Sequence, residues 1–444
     1  MTFIREFPRA PDLLALHRHA PARYPHLLES AARGQLGRHD ILFAFPGESL
    51  SLHADGSLAG PHAADGFLSS LDQWLRAEQG SADTSLPFSG GWFVYLGYEL
   101  AGEIEPKLRQ PRDPRWPVAR ATRFPAAVIR DHGKGCTLLV AEEESLLDAM
   151  QEDLERIGDA VVQAEPVRLA ALAEDEPSRY ERIVEQAIRY VHAGDVFQAN
   201  LSRLWQASLG EPLAHWQLYD RLRRANPAPF AALVTWGEQA IISSSPERLV
   251  EMRGERVDTR PIAGTRPRGA DPDEDRAMLD ELIAHPKERA EHVMLIDLER
   301  NDLGRIAQPG SVEVNELMVV ESYTHVHHIV SNVRARRRAD ASACDVLAAV
   351  FPGGTITGCP KVRCMEIIAE LEQAPRLAYT GSLGYLNRDG SGDFNILIRT
   401  MMRDADRIFF RAGAGIVADS VPVRELEETR AKARGMLRAL GDMA

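Results

Sequence analysis

Strand-forming runs follow one another in this chain instead of alternating one-for-one with helices, and that order constrains the fold more than any single motif. From 230 to 265 the runs FAALVTW, AIISSS, RLVEM and RVDTRPIAGT come in direct succession, the last two joined through Arg253 and Gly254. Strands return in SVEVNELMVVESYTHVHHIVSNVRARR, and again in YTGSLGYLNRDG, FNILIRTMMRD and RIFFRAGAGIVA near the end. Strands joined by short turns are antiparallel, whereas a parallel pair needs a crossover of about a dozen residues or more. The expected class is therefore α+β, with antiparallel sheets and helices packed outside, and not a doubly wound Rossmann fold.

Helical spacing of three and four appears in ESLLDAMQEDLERIGDAVVQ, in PLAHWQLYDRLRRA, over 271–306 and 360–372, and from Val423 to Leu440. A run of small and acidic residues, 164–177, is either a surface loop or the boundary between an N-terminal region (1–165) and a second region (178–444). Ser178 and Glu181 have the spacing of a capping box, with Ile183, Ala187, Ile188 and Val191 on one helix face behind them. In DVFQANLSRLW, Phe197, Ala199 and Leu201 alternate as on a strand.

Composition removes several classes. With 444 residues, 44% hydrophobic and 26% charged, the chain is an ordinary globular one with room for two or three domains. Its 52 basic and 65 acidic residues leave a net charge of −13, which repels phosphate backbones and argues against nucleic acid as a partner. Cys136, Cys344, Cys359 and Cys364 form no CxxC pair, so free thiols in a reducing compartment are expected. The first twenty residues carry charges and prolines where a signal peptide needs an apolar core. No stretch nears the roughly 18 apolar residues of a membrane span. A soluble, cytoplasmic protein is the expectation.

Several constellations have chemical meaning. Glu288 and Glu291 lie three apart in KERAEHVMLIDLERND; Glu425 and Glu428 repeat the spacing in PVRELEETRAKARGML, with Lys432 one turn on. Four carboxylates from two helices suit a hard cation such as Mg²⁺ better than zinc; the other reading is two solvated helix faces. Gly413 and Gly415 end a strand where free N–H groups either hold an anion or make a tight turn. No Walker loop and no GxGxxG fingerprint occurs. In THVHHIVS, His325 and His327 share one strand face while His328 takes the other, and no HExxH accompanies them. Arg399, at the end of the apolar run NILIRT, is either a carboxylate clamp or half of a salt bridge across a sheet.

Together these segments resemble the chorismate-utilising enzymes. SSSPERLV, RPIAGTRPRG, AEHVMLIDLERNDLGRI, THVHHIVS, FPGGTITGCPKVRCMEIIAELE, YTGSLGYL, NILIRT, AGAGIVADS and ELEETRAKA appear in the family's order over about 180 to 440. PFSGGWFVYLGYE and LLES in the first third agree more weakly. The resemblance implies a two-layer antiparallel β-sandwich flanked by helices, a chorismate pocket and one Mg²⁺. It implies Glu291 and Glu428 as direct metal ligands, and Glu288 and Glu425 as holders of its water shell. Lys432 and the backbone of Gly413, Ala414 and Gly415 would take the ring carboxylate, Arg399 and Tyr379 the enolpyruvyl carboxylate, and His328 and Thr355 would line the ring. Glu247 would be the general acid that protonates the departing C4 hydroxyl, with His328 and Lys432 completing the catalytic set.

Within the family, FQANLSR, GGTITGCPK, YTGSLGY and FNILIRT resemble the aminodeoxychorismate synthase branch, which installs ammonia at C4 on the way to p-aminobenzoate and folate. Ala263 points the other way: that branch often has lysine there, as PIKGT, while alanine is the usual anthranilate synthase state. The resemblance implies ammonia from a separate glutamine amidotransferase subunit, since no GxCxG glutaminase segment is present. It also implies a tryptophan pocket built from Leu28, Glu29, Ser30, Pro227 and Phe230, unless these only pack a core. The alternatives are an anthranilate synthase component and a non-catalytic subunit of the same fold.

Overall fold

In the computed structural model, which describes residues 2–32, 37–61, 65–83, 85–269, 271–284, 286–322 and 326–441, the short apolar runs assemble into two antiparallel sheets. Among these residues the first sheet has twelve strands and the second eleven. The first runs from Phe3–Phe7 at one edge to Leu169–Glu174 at the other, and the second from Ile262–Pro267 to Leu58–Ala59.

Period-two alternation shows why they stack. In Gly91–Leu96, Phe93 and Tyr95 pack between the sheets, while Trp92, Val94 and Leu96 face the helices Phe67–Ala77 and Ala343–Val350. In His39–Ala44 of the other sheet, Ile41 and Phe43 point to the same inner core, whereas Leu42 and Ala44 pack with Leu14, Met150, Leu218 and Met436 of the outer helices. Strands apolar on both faces can only be covered on both, so the expected α+β sandwich with external helices is what forms.

Several local expectations are corrected. The 164–177 stretch contains the strand Leu169–Glu174, paired with Gln198–Leu209, because its backbone completes a sheet edge despite its weak side-chain pattern. The helix Pro177–His192 has no side-chain N-cap; the Ser178 hydroxyl turns to Glu176 instead, so no capping box forms. Phe197 lies one residue before its strand and is 70% exposed, although Ala199 and Leu201 are buried. FNILIRTMMRD is not one strand but two, Gly392–Asn395 in the second sheet and Thr400–Asp404 in the first.

That last split matters most. The chain passes from the first sheet to the second between Gln239–Ser245 and Arg248–Arg253, and returns between Gly392–Asn395 and Thr400–Asp404. The two passages lie side by side: Ile396 N donates to Glu247 O at 3.0 Å and Ser244 N to Arg399 O at 3.1 Å. The Ser245 hydroxyl closes the seam on Ile396 O.

Candidate active site

Side chains that leave those crossovers are Glu247 and Arg399. Glu247 is buried, and its Oε1 has no hydrogen-bond partner among the described residues. Burial pushes its carboxyl up to about 7, against the pull of the Thr355 hydroxyl and of the Arg399 and Lys432 charges. Thr355 stands close enough to act, though not in full hydrogen-bond geometry. Arg399 adopts a left-handed φ of 52°, where a residue with a Cβ is held only by its surroundings. Its guanidinium makes no ion pair or hydrogen bond among the described residues, so it is not half of a cross-sheet salt bridge. Burial lowers its pKa and the Glu247 charge opposes that. A desolvated cation without a counter-ion is an anion site in waiting.

His328 is buried on Val326–Arg336, and burial, helped by the Arg399 charge, brings its pKa down to about 4, so the ring is neutral at pH 7. His327 is engaged by Ser322 at 2.7 Å and Asp275 at 2.9 Å. His325 lies outside the described residues.

A second wall comes from Arg407–Ile416 paired with Gln198–Leu209, in register Ser202↔Gly413 and Asn200↔Gly415. A Cβ at Gly413 would sit 2.5 Å from Leu201 O and 2.6 Å from the Tyr379 hydroxyl, so glycine makes room for that tyrosine. At Gly415 a Cβ would strike the Gln198 amide. Ala414 turns its side chain into a buried core, leaving only its backbone toward the wall. Lys432 donates to Gly413 O at 3.0 Å and pairs with Glu428 at 2.7 Å, docking the last helix on this strand.

The carboxylate pairs border the same strands without closing on one another. Gln198 Nε2 donates to Glu291 Oε1 at 3.1 Å, bringing Pro286–Gly304 to the Gln198 end, while Pro422–Leu440 carries Glu425 and Glu428 to the Gly413 end. Glu288 Oε1 is paired with Arg266 at 2.6 Å, and its Oε2 is buried with no hydrogen-bond partner. Among the described residues no three His, Cys, Asp or Glu side chains converge as a ligand group. The expected four-carboxylate cage is thus an open, oxygen-only arrangement. It fits a hard cation that keeps part of its water shell, and Glu288 Oε2 is the orphan acceptor such a shell satisfies. Gln198 and Asn200, the latter with a buried unpartnered Oδ1, are site residues that sequence reasoning passed over. Their only signal is a pair of amides two positions apart, and so on one face, at the start of the strand Gln198–Leu209.

A model of the chorismate binding enzyme family matches residues 27–438. The chain belongs to that family. It is 39% identical over 443 residues to aminodeoxychorismate synthase component 1 of Bacillus subtilis, covering 95% of this chain and 93% of that one. It is 48% identical over 369 residues to anthranilate synthase component 1 of Methanothermobacter thermautotrophicus, covering 83% and 78%. The crystal structure of anthranilate synthase component I from Streptococcus pneumoniae superposes with a TM-score of 0.79 at 32% identity, over 90% of this chain and 92% of that one.

This chorismate binding enzyme has a further cavity, of about 530 Å³, lined by Leu28, Glu29, Ser30 and Phe230 together with Arg248 and Asp393. Pro227 is not part of its wall, which corrects that one expectation: the chain turns between it and Phe230. Glu29 is held by Tyr219 at 2.7 Å and Arg223 at 2.8 Å, and burial raises its carboxyl to about 7.

Proposed function

We propose that this enzyme aminates chorismate at C4 with ammonia, giving 4-amino-4-deoxychorismate for p-aminobenzoate and folate synthesis, with Mg²⁺ as cofactor. The observation that carries the reading is the pairing of Glu247, an acid that keeps its proton near neutrality, with the uncompensated Arg399 at one seam. Hydroxide is a poor leaving group, so C4 chemistry needs a proton donor at that oxygen, and a dianionic substrate needs fixed positive charge. Glu247 supplies the proton. Arg399 and the Tyr379 hydroxyl take the enolpyruvyl carboxylate; Lys432 and the Gly413–Gly415 backbone take the ring carboxylate; neutral His328 and Thr355 line the ring. Glu291 and Glu428 would hold Mg²⁺, with Glu288 and Glu425 on its waters, and the ion neutralises charge on the ring carboxylate.

Support for C4 as the aminated carbon is the near end-to-end similarity to a protein named aminodeoxychorismate synthase component 1. Ala263 is 6% exposed in its strand and has no nucleophilic atom, so ammonia acts here without a covalent lysine adduct. The name component 1 in the relatives agrees with a second component, in our reading a glutamine amidotransferase that delivers ammonia. The 530 Å³ cavity is assigned to tryptophan, with Glu29 on its amino group.

A second reading, anthranilate synthase, is favoured by Ala263 and by the higher identity to the archaeal relative. Mass spectrometry of the products from chorismate, Mg²⁺ and ammonium decides between them. An amino-chorismate that becomes p-aminobenzoate only when a lyase is added supports C4 amination. Direct release of anthranilate and pyruvate sinks it.

A further inference from the structure

Behind Glu247 lies a second buried acid that the mechanism does not use. Glu299, on Pro286–Gly304, is 5% exposed. Its Oε1 would be 3.6 Å from a Cβ at Gly354, so the carboxyl packs against the residue preceding Thr355, which in turn adjoins Glu247. The Thr259 hydroxyl, 1% exposed, stands beside Glu299. Thr259 Oγ1, Thr355 Oγ1 and Glu247 Oε1 are all buried polar atoms with no hydrogen-bond partner among the described residues. Three such atoms around two acids leave room for protons to be redistributed.

The other side of Glu299 leads outward. Asp302 follows three residues on and shares its helix face, and Lys361 binds Asp302 at 2.5 Å and Val350 O at 3.2 Å. Asp302 and Lys361 line a cavity of about 670 Å³ with Phe197, Met294, Arg305 and Cys359, and neither Glu247, Arg399, His328 nor Gly413 belongs to its wall. A row of ionisable groups therefore leads from the substrate side to a separate cavity. The charged groups facing Glu299 are Glu247 from the crossover, Asp302 from its own helix and Lys361 from the helix Lys361–Glu372; burial, Asp302 and Glu247 raise its carboxyl to about 8.

We propose that Glu299 is the proton reservoir for Glu247, refilled from solvent through Asp302 at the Lys361 cavity. The inference rests on the general-acid role of Glu247 given above. Glu247 gives its proton to the C4 oxygen as the C4–O bond breaks, and water leaves with the bonding electron pair. The Glu247 carboxylate takes a proton from Glu299 by way of the Thr355 hydroxyl, which accepts one and passes one. Glu299 takes a proton from cavity water through Asp302. The ammonium formed when the ammonia lone pair bonds to C4 returns one proton to solvent, so the cycle is balanced. Glu299 acts through Glu247 and is a positioning residue, not a catalytic one.

The test is rapid-mix kinetics of full-length Glu299→Gln with chorismate, ammonium and Mg²⁺. At about pH 6 the first turnover should run at the wild-type rate and later turnovers should slow about tenfold, with kcat/KM for chorismate unchanged. Asp302→Asn should show the same split more weakly, and it decides the matter if Glu299→Gln does not melt as a folded protein. Wild-type later turnovers, or equal slowing of first and later ones, overturns the relay. Glu247→Gln run alongside separates the two claims: an active Glu247→Gln removes the general acid itself, whereas a dead one beside a normal Glu299→Gln removes only the reservoir.

Discussion

Glu247 owes its chemistry to where its backbone is, in the two-residue crossover between Gln239–Ser245 of the first sheet and Arg248–Arg253 of the second. Replacement by Gln should lower kcat by about 10²–10⁴ with little change in KM, measured by steady-state turnover. The acid form is the working one, so wild-type activity should be full below about pH 7 and fall above it. Stability has the matching sign. A folded-state pKa above the ordinary 4.5 means that the native state loses stability as pH rises through 4.5 toward 7. Glu247→Gln should therefore melt higher than wild type at pH 8, an advantage absent at pH 4. Arg399→Ala removes a desolvated cation that makes no ion pair or hydrogen bond among the described residues; KM for chorismate should rise about 10- to 100-fold, the size of a charged hydrogen bond. Both residues are legible in the sequence through SSSPERL and NILIRT, but their proximity is not, since 152 positions separate 247 from 399.

Among the elements, the glycine-bearing strand and the two acidic helices set the shape of the wall. Gly413 abuts backbone and a buried tyrosine, whereas Gly415 abuts the end of a flexible glutamine. Gly413→Ala should destabilise by about 1–3 kcal/mol and Gly415→Ala by less, compared by urea unfolding. The order reverses only if the Leu201 carbonyl yields more readily than Gln198. Glu291→Gln and Glu428→Gln should each abolish turnover at moderate Mg²⁺, followed by activity against Mg²⁺ concentration; full activity in either removes that residue as a ligand. Helix periodicity makes both ExxE pairs visible beforehand. It cannot reveal that Glu288 spends one oxygen on Arg266, or that Gln198 holds Glu291, because those partners come from strands remote in sequence.

For the whole molecule, the decisive fact is that residues on both sides of 164–177 share both sheets. His26–Glu29 pairs with Phe230–Trp236, and Gly91–Leu96 with Ser382–Asn387. Unfolding in urea, followed by fluorescence and circular dichroism together, should be one coincident transition; two separated ones would mean that 1–165 and 178–444 are independent units. The sequence by itself determined the class of fold and the family and named the candidate site residues, since strand order, turn signals and short motifs are local properties that alternation and spacing encode. Only the tertiary structure decided which strands neighbour one another across 200 residues and more, that one apolar run divides between two sheets, and that Glu247 meets Arg399 there. The physical reason is that burial on both faces of a sheet, not local propensity, selects strand partners, and that burial is also what moves the Glu247 proton to neutrality.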